Sequence, residues 1–200
     1  MTFSLTKLLR ERAPAPAPQC ELCALPLEEA HGHVVDTLDR RLLCTCYACG
    51  VLFAAPAESA ARFKAASRRY AVLPGPLFSD SQWDALGIPI GLAFFFENAA
   101  SGHIIAFYPG PAGATESQLP LDAWQDLRAR EPLIASLVPD VESALVYRPR
   151  GEAARSYIVP IDACYELVGL VRTHWSGISG GDDVQREIDA FFVRIEDRCE

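Results

Sequence analysis

No stretch of this sequence reaches about 18 uninterrupted apolar residues, so no membrane-spanning helix and no membrane insertion are expected. The first ten residues, Met-Thr-Phe-Ser-Leu-Thr-Lys-Leu-Leu-Arg, also lack the apolar run and small-residue cleavage site of a secretory signal. A cytoplasmic protein is the expectation. Basic side chains are scarce as well: 18 Lys and Arg stand against 26 Asp and Glu, for a net charge of −8. Gripping a phosphate backbone needs a concentrated cationic excess, and even the first fifty residues hold five basic against six acidic side chains. Nucleic acid is thereby excluded as the main partner. No nucleophilic triad stands out either. His103 opens an apolar run and His174 lies beside Trp175 near a helix end, so both read as hydrogen-bonded structural histidines and not as general bases. A non-enzymatic protein is the expectation.

What is present is cysteine in a pattern. Seven cysteines could suggest disulfides, but five fall between residues 20 and 49, while Cys164 and Cys199 sit far away in helical patterns. In a reducing compartment that distribution reads as metal binding. A Cys-x-x-Cys segment wraps a tight corner whose backbone N–H groups point at the sulfurs, and two corners bring four thiolates into a tetrahedron. Here the corners are Cys20-Glu-Leu-Cys23 and Cys46-Tyr-Ala-Cys49, with Gly50 placed to relieve the second by taking positive φ. Twenty-two residues separate Cys23 from Cys46, enough for a hairpin. Cys44 competes with Cys46 as third ligand, and Cys46 is preferred because only it forms the two-residue corner with Cys49. Cys44, His31 and His33 are candidate additional ligands, with solvent-facing histidines as the plainer alternative. Zinc is the expected ion; iron in a rubredoxin-like four-sulfur site is the chief rival. A closed four-sulfur zinc site has no open position for water, so it would hold structure and not hydrolyse anything.

The rest of the chain is expected to be α+β. Residues 1–19, with their Ala-Pro alternation, read as a flexible N-terminal arm, residues 20–54 as a four-cysteine zinc-ribbon-like module, and residues 55–200 as an α+β domain. Two short strands, His33 to Thr37 and Arg41 to Cys44, flank a polar turn between the cysteine pairs. Ser79 to Gln82 is a capping box ahead of a short helix, and Leu121 to Leu127 is a second helical stretch. Ile90 to Phe96 with His103 to Tyr108, and Ala144 to Tyr147 with Ser156 to Val159, predict hairpins of a mixed or antiparallel sheet covered on both faces. A C-terminal helical hairpin follows: one helix capped by Asp162, the next opened by Asp182 with Val184, Ile188, Phe191, Phe192, Ile195 and Cys199 on one stripe.

Cys-Glu-Leu-Cys-Ala-Leu-Pro-Leu from residue 20, His-Gly-His-Val-Val-Asp and Arg-Arg-Leu-Leu-Cys-Thr-Cys-Tyr-Ala-Cys are similar to the N-terminal part of a bacterial domain-of-unknown-function family, number 5947. The resemblance continues through Trp83 to Phe96, Phe107 to Ser117 and Pro160 to Arg172, so it covers most of the chain. It implies genes lying beside those of NiFe uptake hydrogenases, and hence an accessory to hydrogenase assembly, maturation, stability or electron supply, with hydrogenase subunits or maturation proteins as partners. The segment Tyr108-Pro-Gly-Pro-Ala-Gly-Ala-Thr-Glu-Ser117 reads as a loop. It lacks the Gly-Lys-Ser/Thr ending of a phosphate loop, so Tyr108, Gly113, Thr115, Glu116 and Ser117 are candidates for partner docking ahead of ligand binding.

Overall fold

A computed structural model describes residues 17–54, 62–118, 121–177 and 180–199. The predicted arm lies, except for residues 17–19, outside the described residues. After the first cysteine corner, strands β1 (Gly32–Asp36) and β2 (Arg41–Thr45) form the expected hairpin. At its turn Arg40 takes a positive φ of 49°, and the buried Asp36 carboxylate accepts the backbone N–H groups of Leu38 and Asp39. Helix α1 (Tyr47–Leu52) carries the second corner. Strand β3 (Phe63–Ala65) then returns to pair antiparallel with β1, giving a three-stranded sheet in the order β2-β1-β3. The sheet whose hairpin joins the two cysteine corners thus takes its third strand from beyond residue 54.

The larger sheet has six strands and every pairing in it is antiparallel. It begins with β4 (Ala71–Val72). Helix α2 (Asp80–Ala85) follows, and its Ser79 N-cap and Gln82 form the reciprocal capping box the sequence predicts. Strands β5 (Leu92–Asn98), β6 (His103–Gly110) and β7 (Gly113–Gln118) run as a meander. Helices α3 (Leu121–Arg130) and α4 (Pro132–Ala135) lead to the hairpin β8 (Glu142–Tyr147) and β9 (Arg155–Pro160). Helices α5 (Ile161–His174) and α6 (Gly181–Glu196) close the chain and pack on each other. In space the strands lie in the order β4-β9-β8-β5-β6-β7.

Strand periodicity divides the core in two. Leu92, Phe94 and Phe96 point to one face, where they are buried with Leu167 and Val171 of α5 and Phe191, Phe192 and Ile195 of α6. Ala93 and Phe95 point to the other, against Trp83, Trp124, Leu127 and Ile134 from α2, α3 and α4. Continuous apolar runs in β5 and β6 follow from burial on both faces.

Two expectations need correction. Asp162 is not the N-cap of α5: Pro160 holds that position, so Asp162 falls in the first turn, where one carboxylate oxygen accepts the Ala163 N–H and the other reaches out to His33. The segment from Tyr108 to Ser117 is not a loop. It is the end of β6, a turn at Pro111-Ala112 with Gly113 at φ 115°, and β7, with Tyr108 paired to Thr115 and Ala106 to Ser117. Gly and Pro in the turn and the short polar β7 hid a strand that stands last in the order of the larger sheet.

Candidate metal centre

The first corner is built by backbone alone. Cys20 donates its N–H to the Leu25 carbonyl at 2.8 Å, Ala24 donates to the Cys20 carbonyl at 2.7 Å, and Gln19 and Pro26 form an isolated bridge. Ala24 takes a φ of 60°, a left-handed conformation that lets the chain double back beneath its cysteines. Glu21 ties this corner to β2: its N–H reaches the Cys44 carbonyl at 2.9 Å, and its carboxylate accepts the Cys44 N–H at 2.7 Å. The second corner uses the helix start. Cys46 is the N-cap of α1, and its sulfur accepts the Cys49 N–H at 3.5 Å. Gly50 lies inside α1 with ordinary helical geometry, so the expected positive φ at that corner is not needed; Ala24 supplies the left-handed residue instead.

The sulfurs of Cys20, Cys23, Cys46 and Cys49 all lie within 4.8 Å of one another, and those of Cys23 and Cys46 are 3.7 Å apart. A tetrahedron with metal–sulfur bonds of about 2.3 Å has edges of about 3.8 Å, so the donor set fits a tetrahedral four-sulfur ion with little movement. Cys20 and Cys46 are buried, Cys49 is half-buried and Cys23 is exposed. Burial works to raise the Cys20 thiol, but the backbone N–H groups of Cys46, Leu22 and Cys23 favour its thiolate and bring it down to about 6. Cys49 goes the other way, pushed up to about 12 by the Cys23 and Cys46 side chains and by burial. The backbone at Leu25 and the Cys49 side chain favour the Cys23 thiolate, yet the Cys20 and Cys46 side chains and burial leave its thiol raised. Four sulfurs this close cannot all carry charge without a cation between them. The cluster can therefore hold a metal ion.

Of the two candidates for third ligand, Cys46 brings its sulfur into this cluster. Cys44 points elsewhere and forms a separate group with His31 and His33. Burial, the Glu21 charge and the Cys20 sulfur raise its thiol. The two corners that carry the cysteines also expose apolar side chains: Leu22 and Leu25 on the first, and Tyr47 (78% exposed), Val51 and Leu52 (74% exposed) on the second. Leu22 and Tyr47 occupy inner positions of the two Cys-x-x-Cys turns, where geometry forces the side chain outward.

The other candidates lie apart from these sulfurs, on β6 and β7. Tyr108 is half-buried, Thr115 and Glu116 are exposed, and Glu116 meets Arg40 of the β1–β2 turn at 3.4 Å. Sequence reasoning missed two supporting residues, Glu21 and Asp162. Glu21 sits inside the first motif and could have been suspected from its place next to a ligand. Asp162 lies 129 residues from the histidine it contacts, and nothing local to it signals that contact.

No curated protein and no solved structure matches the chain. From residue 19 to residue 199 the sequence matches the family of unknown function DUF5947, and the chain belongs to that family.

Proposed function

We propose that this chain is a non-enzymatic, zinc-binding accessory protein whose zinc-ribbon-like module docks on subunits or maturation proteins of a NiFe hydrogenase and supports their assembly, maturation or stability. One observation carries the reading: the corners that bring four cysteine sulfurs together also expose apolar side chains. A closed four-sulfur ion offers no position for a substrate, whereas it fixes Leu22, Leu25, Tyr47, Val51 and Leu52 as a rigid apolar surface of the kind that protein partners cover. The hydrogenase setting rests on the family resemblance, and free thiols in this number suit the reducing cytoplasm.

The second reading, a rubredoxin-like iron protein passing electrons to or from the hydrogenase system, is favoured by one feature. Cys23 is the exposed member of the cluster, which gives an iron–sulfur bond access to the surface. Metal analysis of protein made in medium containing both metals separates the readings, because ferric thiolate absorbs in the visible and zinc is colourless. The expected result is close to one zinc per chain at the cluster, lost in Cys46→Ser and kept in Cys44→Ser; iron with a visible spectrum would favour electron transfer. For the docking surface, the double variant Tyr47→Ser/Leu52→Ser is expected to keep its metal and lose binding to purified hydrogenase subunits or maturation proteins. Unchanged binding would move the contact elsewhere, with the β6–β7 hairpin at Tyr108, Thr115 and Glu116 next to be tested.

A further inference from the structure

A second set of ligands converges on the outer part of the β1–β2 hairpin. His33 and Cys44 are direct partners across the two strands, which places their side chains side by side on one face. His31 stands two residues before His33 and so projects to the same side. One ring nitrogen of each histidine and the Cys44 sulfur lie within 4.8 Å of one another, and the two rings are 5.1 Å apart. All three residues are half-buried.

The hydrogen bonds of the rings point to a ligand. His31 Nδ1 lies 2.9 Å from the Glu28 carbonyl and 3.1 Å from that of Glu29, and a carbonyl can only accept, so Nδ1 carries the proton. His33 Nδ1 lies 2.9 Å from the Asp162 carboxylate, which likewise makes it the donor. In the neutral ring each histidine is therefore left with Nε2 as its lone-pair nitrogen. An oxygen acceptor on the remote ring nitrogen is the arrangement that orients metal-bound imidazoles and strengthens them as donors. Cys44 is held as firmly, because its N–H and carbonyl both bond to Glu21.

We propose that His31, His33 and Cys44 form a second metal site, separate from the four-cysteine cluster, that binds a zinc-class divalent cation through two imidazole nitrogens and one thiolate. Nitrogen and sulfur donors select such borderline cations over magnesium or calcium. Three protein ligands leave a fourth position open, and half-burial gives that position access to solvent. The site therefore exchanges its ion with solution, while the closed cluster, reached two residues further along the chain at Cys46, keeps its own. Asp162 acts as a positioning residue through His33. None of this depends on which ion occupies the four-cysteine cluster.

The test uses the full chain, reduced, loaded with one equivalent of zinc and then titrated with Co2+ by equilibrium dialysis and visible spectroscopy. Wild type is expected to take a second equivalent with a thiolate charge-transfer band and to release it first to a chelator. His31→Gln, His33→Ala and Cys44→Ser should each abolish that equivalent while keeping the first, whose retention shows that the variant is folded. Asp162→Asn should weaken the second equivalent by roughly 10- to 100-fold. His31→Gln, a change at the solvent edge, decides the matter if His33→Ala misfolds. Wild type that stops at one equivalent, or a His31→Gln/Cys44→Ser chain that still takes two, overturns the proposal.

Discussion

Asp36 has 3% of its surface exposed, yet it is a charged group bonded on every side. Arg62 donates to it from Nε at 3.1 Å and from Nη2 at 2.8 Å, and the β1–β2 turn adds two backbone N–H groups. Chiefly through the Arg62 hydrogen bonds, and against the opposing effect of burial, its carboxyl is held down at about 2 from the ordinary 3.8. Because the folded value is the lower one, the stabilisation is fully present above pH 3.8 and is lost as pH falls towards 2. Carboxyl-carbon NMR of Asp36 is expected to show this low titration in wild type and a midpoint moved upward in Arg62→Met. A second residue-scale constraint is Gly91. A Cβ there would run into the Arg148 carbonyl, while the Gly91 carbonyl accepts the Arg148 N–H at 2.6 Å. Gly91→Ala must push β5 and β8 apart at one end, and a loss of about 1–3 kcal/mol in denaturant unfolding is expected. The same chemistry made the cysteine cluster legible: cysteines in two-residue corners have few other uses in a reduced protein. It left Asp162 illegible, since an Asp two residues after Pro160, at the start of a helical pattern, looks like a helix cap whatever its side chain touches.

The elements follow the same division. Strand β5 and the stripe of α6 were readable because period 2 and period 3.6 patterns survive wherever one face or both must be apolar. Strand β7 was not, since its Gly113-Ala-Thr-Glu-Ser-Gln118 sequence lies at a sheet edge where burial imposes no pattern. Helix α6 also shows how an element is seated by more than its stripe. Phe192 stacks on Tyr147 with ring centroids 4.2 Å apart, Tyr147 donates its hydroxyl proton to Asp189 at 2.7 Å, and Tyr157 donates to Glu196 at 2.6 Å. Burial, with Asp189 beside it, pushes the Tyr147 phenol up to about 12. Phe192 is 1% exposed, so Phe192→Ala removes a stacked ring from a closed face and should cost about 3–5 kcal/mol in chemical denaturation. Tyr147→Phe keeps the stack and loses the hydroxyl contacts with Asp189 and Gln185, so a loss of about 1 kcal/mol is expected.

At the scale of the whole molecule the two sheets are joined by specific contacts. Lys64 of β3 reaches Asp140 at 2.7 Å in a buried pair, His33 reaches Asp162, and Val35 sits in the same apolar cluster as Ile161. The cysteine corners are tied to the small sheet by the Glu21–Cys44 bonds and by the Ala65 N–H on the Phe53 carbonyl, but α1 buries none of its residues, and its side chains Tyr47, Val51 and Leu52 are exposed. Metal removal should therefore loosen the corners, residues 20–27 and 46–53, and leave the six-stranded sheet and its helices folded. Hydrogen exchange on wild type and Cys49→Ser is the measurement. Fast exchange confined to the corners is expected, with β8, β9 and α5 protected as before; collapse of the larger sheet would show that the ion holds the entire fold.

The sequence by itself determined what rests on local pattern: the two Cys-x-x-Cys corners, the hairpin between them, the capping box at Ser79, and the strands and helices whose faces are buried. Each is set by residues within a turn or a few turns of one another, so the signal stays on the chain. The tertiary structure alone decided that β3 completes the cysteine-bearing sheet, that Glu116 meets Arg40, and that Asp162 turns towards His33. Those pairings join residues far apart in sequence, and only packing of the α5 end against β1 gives Asp162 a histidine to hold.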